Sequence, residues 1–192
     1  MMGPFEFIVL FLSFIYTLAL THLLFAATRM IRHRRELVPS WPHSLWMLAA
    51  LANLVANWIS QWDFRQMEPL SLATIAAGLV FAVINYFVCA LVSPDFESSE
   101  TYNMKEFHRQ EGRTYISAVL VLVVCALAEN FAAGEALGVQ TWSEQNWVVA
   151  FMIVPPALAL SVKRAWAQVA APIIFIVTAI AYCVIYYPVL AR

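Results

Sequence analysis

The chain has 192 residues, of which 62% are hydrophobic and 12% charged, with a mean hydropathy of +0.74 and a formal net charge of −1. Globular proteins carry about 25% charged residues, and each helix of a soluble bundle needs a polar outer face. This composition excludes that class and points to a single all-α transmembrane domain over residues 1–192, with the lipid bilayer as solvent and no nucleic-acid partner.

Six apolar segments follow in chain order, over residues 5–31, 44–62, 70–92, 115–137, 147–162 and 167–190. The first has no basic residue before it and outruns the apolar core of a secretory signal, so it is expected to stay as a span. No lipidation motif appears at either end. It carries Glu6, Ser13, Thr17 and Thr21 at spacings that share one helical face. The connector over 32–43 is rich in arginine.

The second segment holds Asn53, Asn57, Ser60 and Gln61. Asn53, Asn57 and Gln61 stand at i, i+4 and i+8, so they line one face. Lipid offers these amides no partner, and the face is expected to look at other helices or at water. A short connector of about a dozen residues predicts direct packing of the first two helices, with Thr17 near the level of Asn57 and an ion pair between Glu6 and Arg65 at the rim.

The third segment adds Thr74, Gly78, Asn85 and Cys89 near one face. Gly78 is the glycine deepest in a span and marks a close helix contact. The connector over 93–114 is expected to be cytoplasmic, with a short interfacial helix over 102–110. In the fourth segment Glu129, followed by Asn130, lies on the order of 20 Å from the cytoplasmic end at 1.5 Å per residue. A charged carboxylate there is costly, so it should face the interior, pair with amides or stay protonated. The fifth segment is short and carries Pro155-Pro156, which predicts a kink near mid-membrane. The sixth has Thr178, Tyr182 and Tyr186 on one face, read as packing and interfacial anchoring.

Charge sets the orientation. Nine of the eleven Lys and Arg fall in or beside the first, third and fifth connectors, leaving Arg65 and Arg192 on the other side. The positive-inside rule then places those connectors in the cytoplasm and both termini outside. Trp41, Trp46 and Trp166 are expected at the inner boundary, and Trp62, Trp142 and Trp147 at the outer one.

Several chemistries are absent. Cys89, Cys125 and Cys183 sit in separate apolar segments without metal-ligand spacing, and no cofactor is expected. The histidines His22, His33, His43 and His108 form no facing pair for haem. No phosphate-binding glycine loop, metalloprotease motif or nucleophile elbow occurs, and no lysine lies within a span to hold a retinal. A lipid- or quinone-linked enzyme using Glu129 and His22 is disfavoured, because the two lie several turns apart along the membrane normal.

The run Phe5-Glu6-Phe7, then Leu18-Ala19-Leu20-Thr21-His22-Leu23-Leu24, the Arg-rich connector, the Trp-rich second span and Val92-Ser93-Pro94-Asp95 resemble uncharacterised small bacterial polytopic membrane proteins. The resemblance covers roughly the first half of the chain. It implies a bacterial inner membrane and no particular activity.

Two functional expectations follow. One is permeation of an ion, proton or small solute along Thr17, Asn53, Asn57, Gln61, Asn85, Glu129 and Asn130, by a single protomer or a homo-oligomer. The other is a non-transporting sensor, assembly factor or partner subunit, in which the amides hold helices together and the cytoplasmic connectors meet a membrane partner protein.

Overall fold

The computed structural model describes residues 3–67, 71–95, 103–137 and 143–188, and these are almost entirely helical. The α-helices are α1 (Pro4–Arg32), α2 (Trp41–Ser60), α3 (Leu72–Val92), α4 (Met104–Leu137), α5 (Glu144–Phe151), α6 (Val154–Ser161) and α7 (Ala165–Tyr186), with a 3-10 segment, Gln61–Met67, continuing α2. Four helices, Phe5–Arg32, Leu72–Val92, Met104–Glu135 and Ala165–Tyr186, are long and apolar enough to cross a membrane. α2 has 20 residues, about 30 Å at 1.5 Å per residue. Its amides, histidine and serines make it less apolar than those four. α5 and α6 have eight residues each, so neither spans about 30 Å alone.

Local chemistry fixes the helix starts. Ser40, Ser71 and Ser143 each accept a hydrogen bond from the backbone N–H three residues on, at the head of α2, α3 and α5. The break between α5 and α6 falls at Met152-Ile153, one turn before the expected kink residues. Pro155 and Pro156 then occupy the first turn of α6, where a missing N–H costs nothing, and both are buried. Pro172 lies inside α7.

α2 packs chiefly on α7 and also reaches α1, α3 and α4, while α1 packs chiefly on α3. Direct α1–α2 packing was the sequence expectation, and it holds only as a minor contact, with Trp58 Nε1 donating to Ser13 Oγ at 3.4 Å. The reason is the apolar face of α1. Leu12, Tyr16, Ala19, Leu23 and Ala26 form its buried stripe, and Leu12 sits against Gly78 of α3. A Cβ at Gly78 would lie 3.6 Å from Leu12 Cδ1, an ordinary contact. Gly78 therefore leaves space at this crossing without forcing backbones together.

The basic connectors gather at one end. Met104 N donates to Val38 O at 3.0 Å, and buried His43 donates from Nε2 to Val92 O at 2.9 Å. Gln168 Nε2 donates to Ala159 O at 2.7 Å and to Val162 O at 3.1 Å, closing the α6–α7 turn. The helix expected over 102–110 is not separate: from Met104 onward it is the first part of the 34-residue α4. Residue 102 and the stretch 96–102 of that connector lie outside the described residues, as do Trp142 and Arg192.

Trp46 corrects a second expectation. It is fully buried, with its ring centroid 6.4 Å from that of Phe175, and does not anchor at a boundary. Trp41, Trp147 and Trp166 are exposed.

Candidate functional site

The amide face of α2 borders a cavity of about 110 Å³. Asn53, Asn57, Ser60 and Gln61 from α2 and its continuation meet Glu129 and Asn130 from α4, with Leu12, Gly78 and Leu122 among the apolar walls and Asp63 and Tyr182 also lining it. A water needs roughly 10–15 Å³ of such space and two to four polar partners. The cavity therefore has room for several waters, and the polar atoms to hold them.

Two buried polar atoms of the cavity wall, Asn53 Nδ2 and Gln61 Oε1, have no hydrogen-bond partner among the described residues, and the Gln61 side chain lies within hydrogen-bonding reach of the Tyr16 hydroxyl. Asn53 and Gln61 are each 5% exposed and line the cavity. Tyr16 lies one helical turn from Leu12 on the buried stripe of α1. A buried polar group without a partner costs about 1–3 kcal/mol, and the cavity has room for water beside Asn53 and Gln61.

The remaining amides are paired. Asn57 Nδ2 donates to Asn85 Oδ1 at 2.9 Å, and Asn85 Nδ2 donates to Phe81 O at 3.1 Å. Asn85 is 1% exposed and sits behind Asn57, off the cavity surface. Asn130 Nδ2 donates to Asn146 Oδ1 at 2.9 Å, tying α4 to α5. Glu129 is half-buried, and no cation or hydrogen-bond donor lies within bonding distance among the described residues.

Thr17 is not part of this constellation. It is exposed and donates to Ser13 O at 2.8 Å. Ser13 and Thr21 likewise donate to Val9 O and Thr17 O. Hydroxyls one turn above a carbonyl satisfy themselves within the helix, so this stripe can face away from the bundle, where the amides of α2 could not. The Glu6–Arg65 pair is also not formed. Glu6 Oε2 accepts from Gly3 N at 2.9 Å as a helix cap, and the Arg65 guanidinium lies 4.6 Å from the Trp62 ring centroid.

The cavity end beside the 3-10 segment is closed by a network that residue spacing does not predict. Gln145 Nε2 donates to Tyr182 Oη at 2.7 Å and to Tyr187 Oη at 3.1 Å, and Tyr187 Oη donates to Asp63 Oδ2. It joins the 3-10 segment, α5 and the end of α7 across the cavity mouth. Toward the basic connectors the bundle is packed, with Trp46, Val119, Leu122 and Phe175 buried.

His22 Nε2 meets Tyr86 Oη at 3.1 Å on the exposed side of α1, and His108 Nδ1 bonds Tyr115 Oη within α4. No group of three His, Cys, Asp or Glu fit to hold a metal ion occurs among the described residues. No known protein family, curated protein or solved structure matches the chain.

Proposed function

We propose that the chain is a bacterial inner-membrane protein with six spans and both termini outside, and that its cavity is the outer half of a pathway for a proton or small cation. Gathering of the basic connectors at one end supports the orientation, because positive segments stay in the cytoplasm. α5 and α6 supply one span together: Gln145 reaches Tyr182 and Tyr187 at one end, and Val162 meets Gln168 at the other.

The observation that carries the pathway reading is the convergence of Glu129 with the unsatisfied Asn53 Nδ2 and Gln61 Oε1 on one cavity. Amide and hydroxyl oxygens replace part of a cation's hydration shell, and the Glu129 carboxyl either sets the sign of the permeant charge or carries the proton itself. A non-transporting module would need only the Asn57–Asn85 and Asn130–Asn146 bonds as helix glue. That reading leaves Asn53, Gln61 and Glu129 without a role.

The test is flux into proteoliposomes of purified protein, with proton and alkali-cation gradients in separate arms. Flux should be present, fall at least tenfold in Glu129→Gln and fall further when Asn57→Leu is added. No flux in the native protein, or full flux in the double variant, refutes the pathway.

A further inference from the structure

At the end opposite the polar cavity, α4 and the α6–α7 turn enclose a second cleft of about 320 Å³ that the pathway does not use. Its rim is cationic: Arg109 and Arg113 from α4 face Lys163 from the turn, with His108 alongside. No acidic residue lines it. Arg109 is already paired with Glu106, whereas Arg113 and Lys163 are exposed with no counter-ion among the described residues. α7 starts beside Lys163 without a side-chain cap, so the positive end of a 22-residue helix adds to the same field.

The floor of this cleft is different. Ile116, Ala159 and Leu160 make it apolar. Trp166, 56% exposed just past the turn, stands at the level where tryptophans mark the boundary between headgroups and acyl chains. A free phosphate would use the rim and leave the floor bare. A phospholipid uses both, with its phosphate between Arg113 and Lys163 and the start of an acyl chain against Ile116 and Leu160.

We propose that this cleft binds the phosphate of an anionic phospholipid from the inner leaflet. Basic pockets between helices on the cytoplasmic side are a recurrent solution for such headgroups.

The experiment is a binding titration of the purified full chain in uncharged detergent, read by native mass spectrometry. Phosphatidylglycerol, phosphatidylcholine of the same acyl chains, and inorganic phosphate form the three arms. Phosphatidylglycerol should bind at least tenfold more tightly than phosphatidylcholine. Arg113→Gln with Lys163→Gln should weaken it about thirtyfold, at the usual contribution of each basic group near an anionic surface. The charge-retaining pair Arg113→Lys with Lys163→Arg should bind within a few-fold of native, and Arg32→Gln, outside the cleft, should have no effect. Equal affinity for the two lipids, or native binding by the double glutamine variant, overturns the proposal. Inorganic phosphate that displaces the lipid at equal concentration keeps the anion site but overturns its assignment to a lipid. Should the glutamine variant fail to fold, native protein decides the matter: phosphatidylglycerol, unlike phosphatidylcholine, should shield Lys163 from an amine-reactive label, and equal labelling overturns the proposal.

Discussion

Asn57 and Asn85 share one hydrogen bond but stand in different surroundings, and that difference makes an asymmetric prediction. Asn85 is 1% exposed, and its Oδ1 has Asn57 Nδ2 as partner at 2.9 Å. Asn57 lines the cavity, where water can replace the partner it loses. Asn57→Leu therefore strands Asn85 Oδ1 in a dry seam. The penalty for a buried acceptor is about 1–3 kcal/mol, but interhelical bonds in membranes average only about 0.6 and reach about 1.7, so about 1–1.5 kcal/mol is expected. Asn85→Leu removes the buried amide itself and leaves Asn57 to the cavity, at an expected cost below about 0.5 kcal/mol. The double variant should match Asn85→Leu, giving a coupling of about 1 kcal/mol in the cycle. Reversible unfolding in mixed micelles of increasing denaturing-detergent fraction, followed by tryptophan fluorescence, measures all four proteins. Equal single costs that add in the double variant would refute both the dry burial of Asn85 and the wetness of the space beside Asn57.

Thr17→Val should change stability by less than about 0.5 kcal/mol, because the hydroxyl only doubles a carbonyl already bonded within its own helix; the same micelle titration checks it, and a larger loss would return Thr17 to the seam. Trp46→Ala should cost about 3–5 kcal/mol, as large aromatic truncations in packed cores do, seen as a shift of the unfolding midpoint. Tyr187→Phe removes the donation to Asp63 but keeps the ring, so it should loosen the cavity mouth. With a cysteine placed at Ser60, the rate of labelling by a membrane-impermeant maleimide should rise several-fold, and an unchanged rate would mean that the tyrosine network does not close the mouth.

Most of what was legible in the sequence came from groups that cannot satisfy themselves. Asn53, Asn57 and Gln61 carry donors and acceptors that no single helix can use up, so their spacing alone placed them on an interior face. Glu129 was legible for the same reason. Ser13, Thr17 and Thr21 share a face just as clearly, yet a hydroxyl can turn back to the carbonyl four residues before it, and its periodicity then says nothing about neighbours. Asn146 and Gln145 were hidden because both sit at the head of a short helix, where polar residues are ordinary caps. Tyr16, Tyr182 and Tyr187 were hidden because a tyrosine in an apolar run reads equally as packing or as a polar tip. The signal that could have found Tyr16 is its place in the stripe Leu12, Tyr16, Ala19, Leu23, Ala26, which is more apolar than the serine–threonine stripe beside it.

The distribution of polarity along α2 constrains the proposed pathway further. Its inward face reads Trp46, Ala49, Ala50 in the half nearer the basic connectors, and Asn53, Ala56, Gln61 in the other half, all of them buried. The polar cavity therefore stops at Asn53, seven residues and roughly 10 Å from Trp46 at 1.5 Å per residue. Trp46 meets Phe175, and its Nε1–H is itself buried without a partner among the described residues. A tryptophan normally finds an acceptor when buried, so the dry half keeps a donor whose unmet bond offsets part of its packing energy. On the neighbouring wall the chain is already broken at Met152-Ile153, and Met152 lines the cavity directly. Under the proposed function, a solute leaving the cavity toward the basic connectors meets Trp46 packed on Phe175.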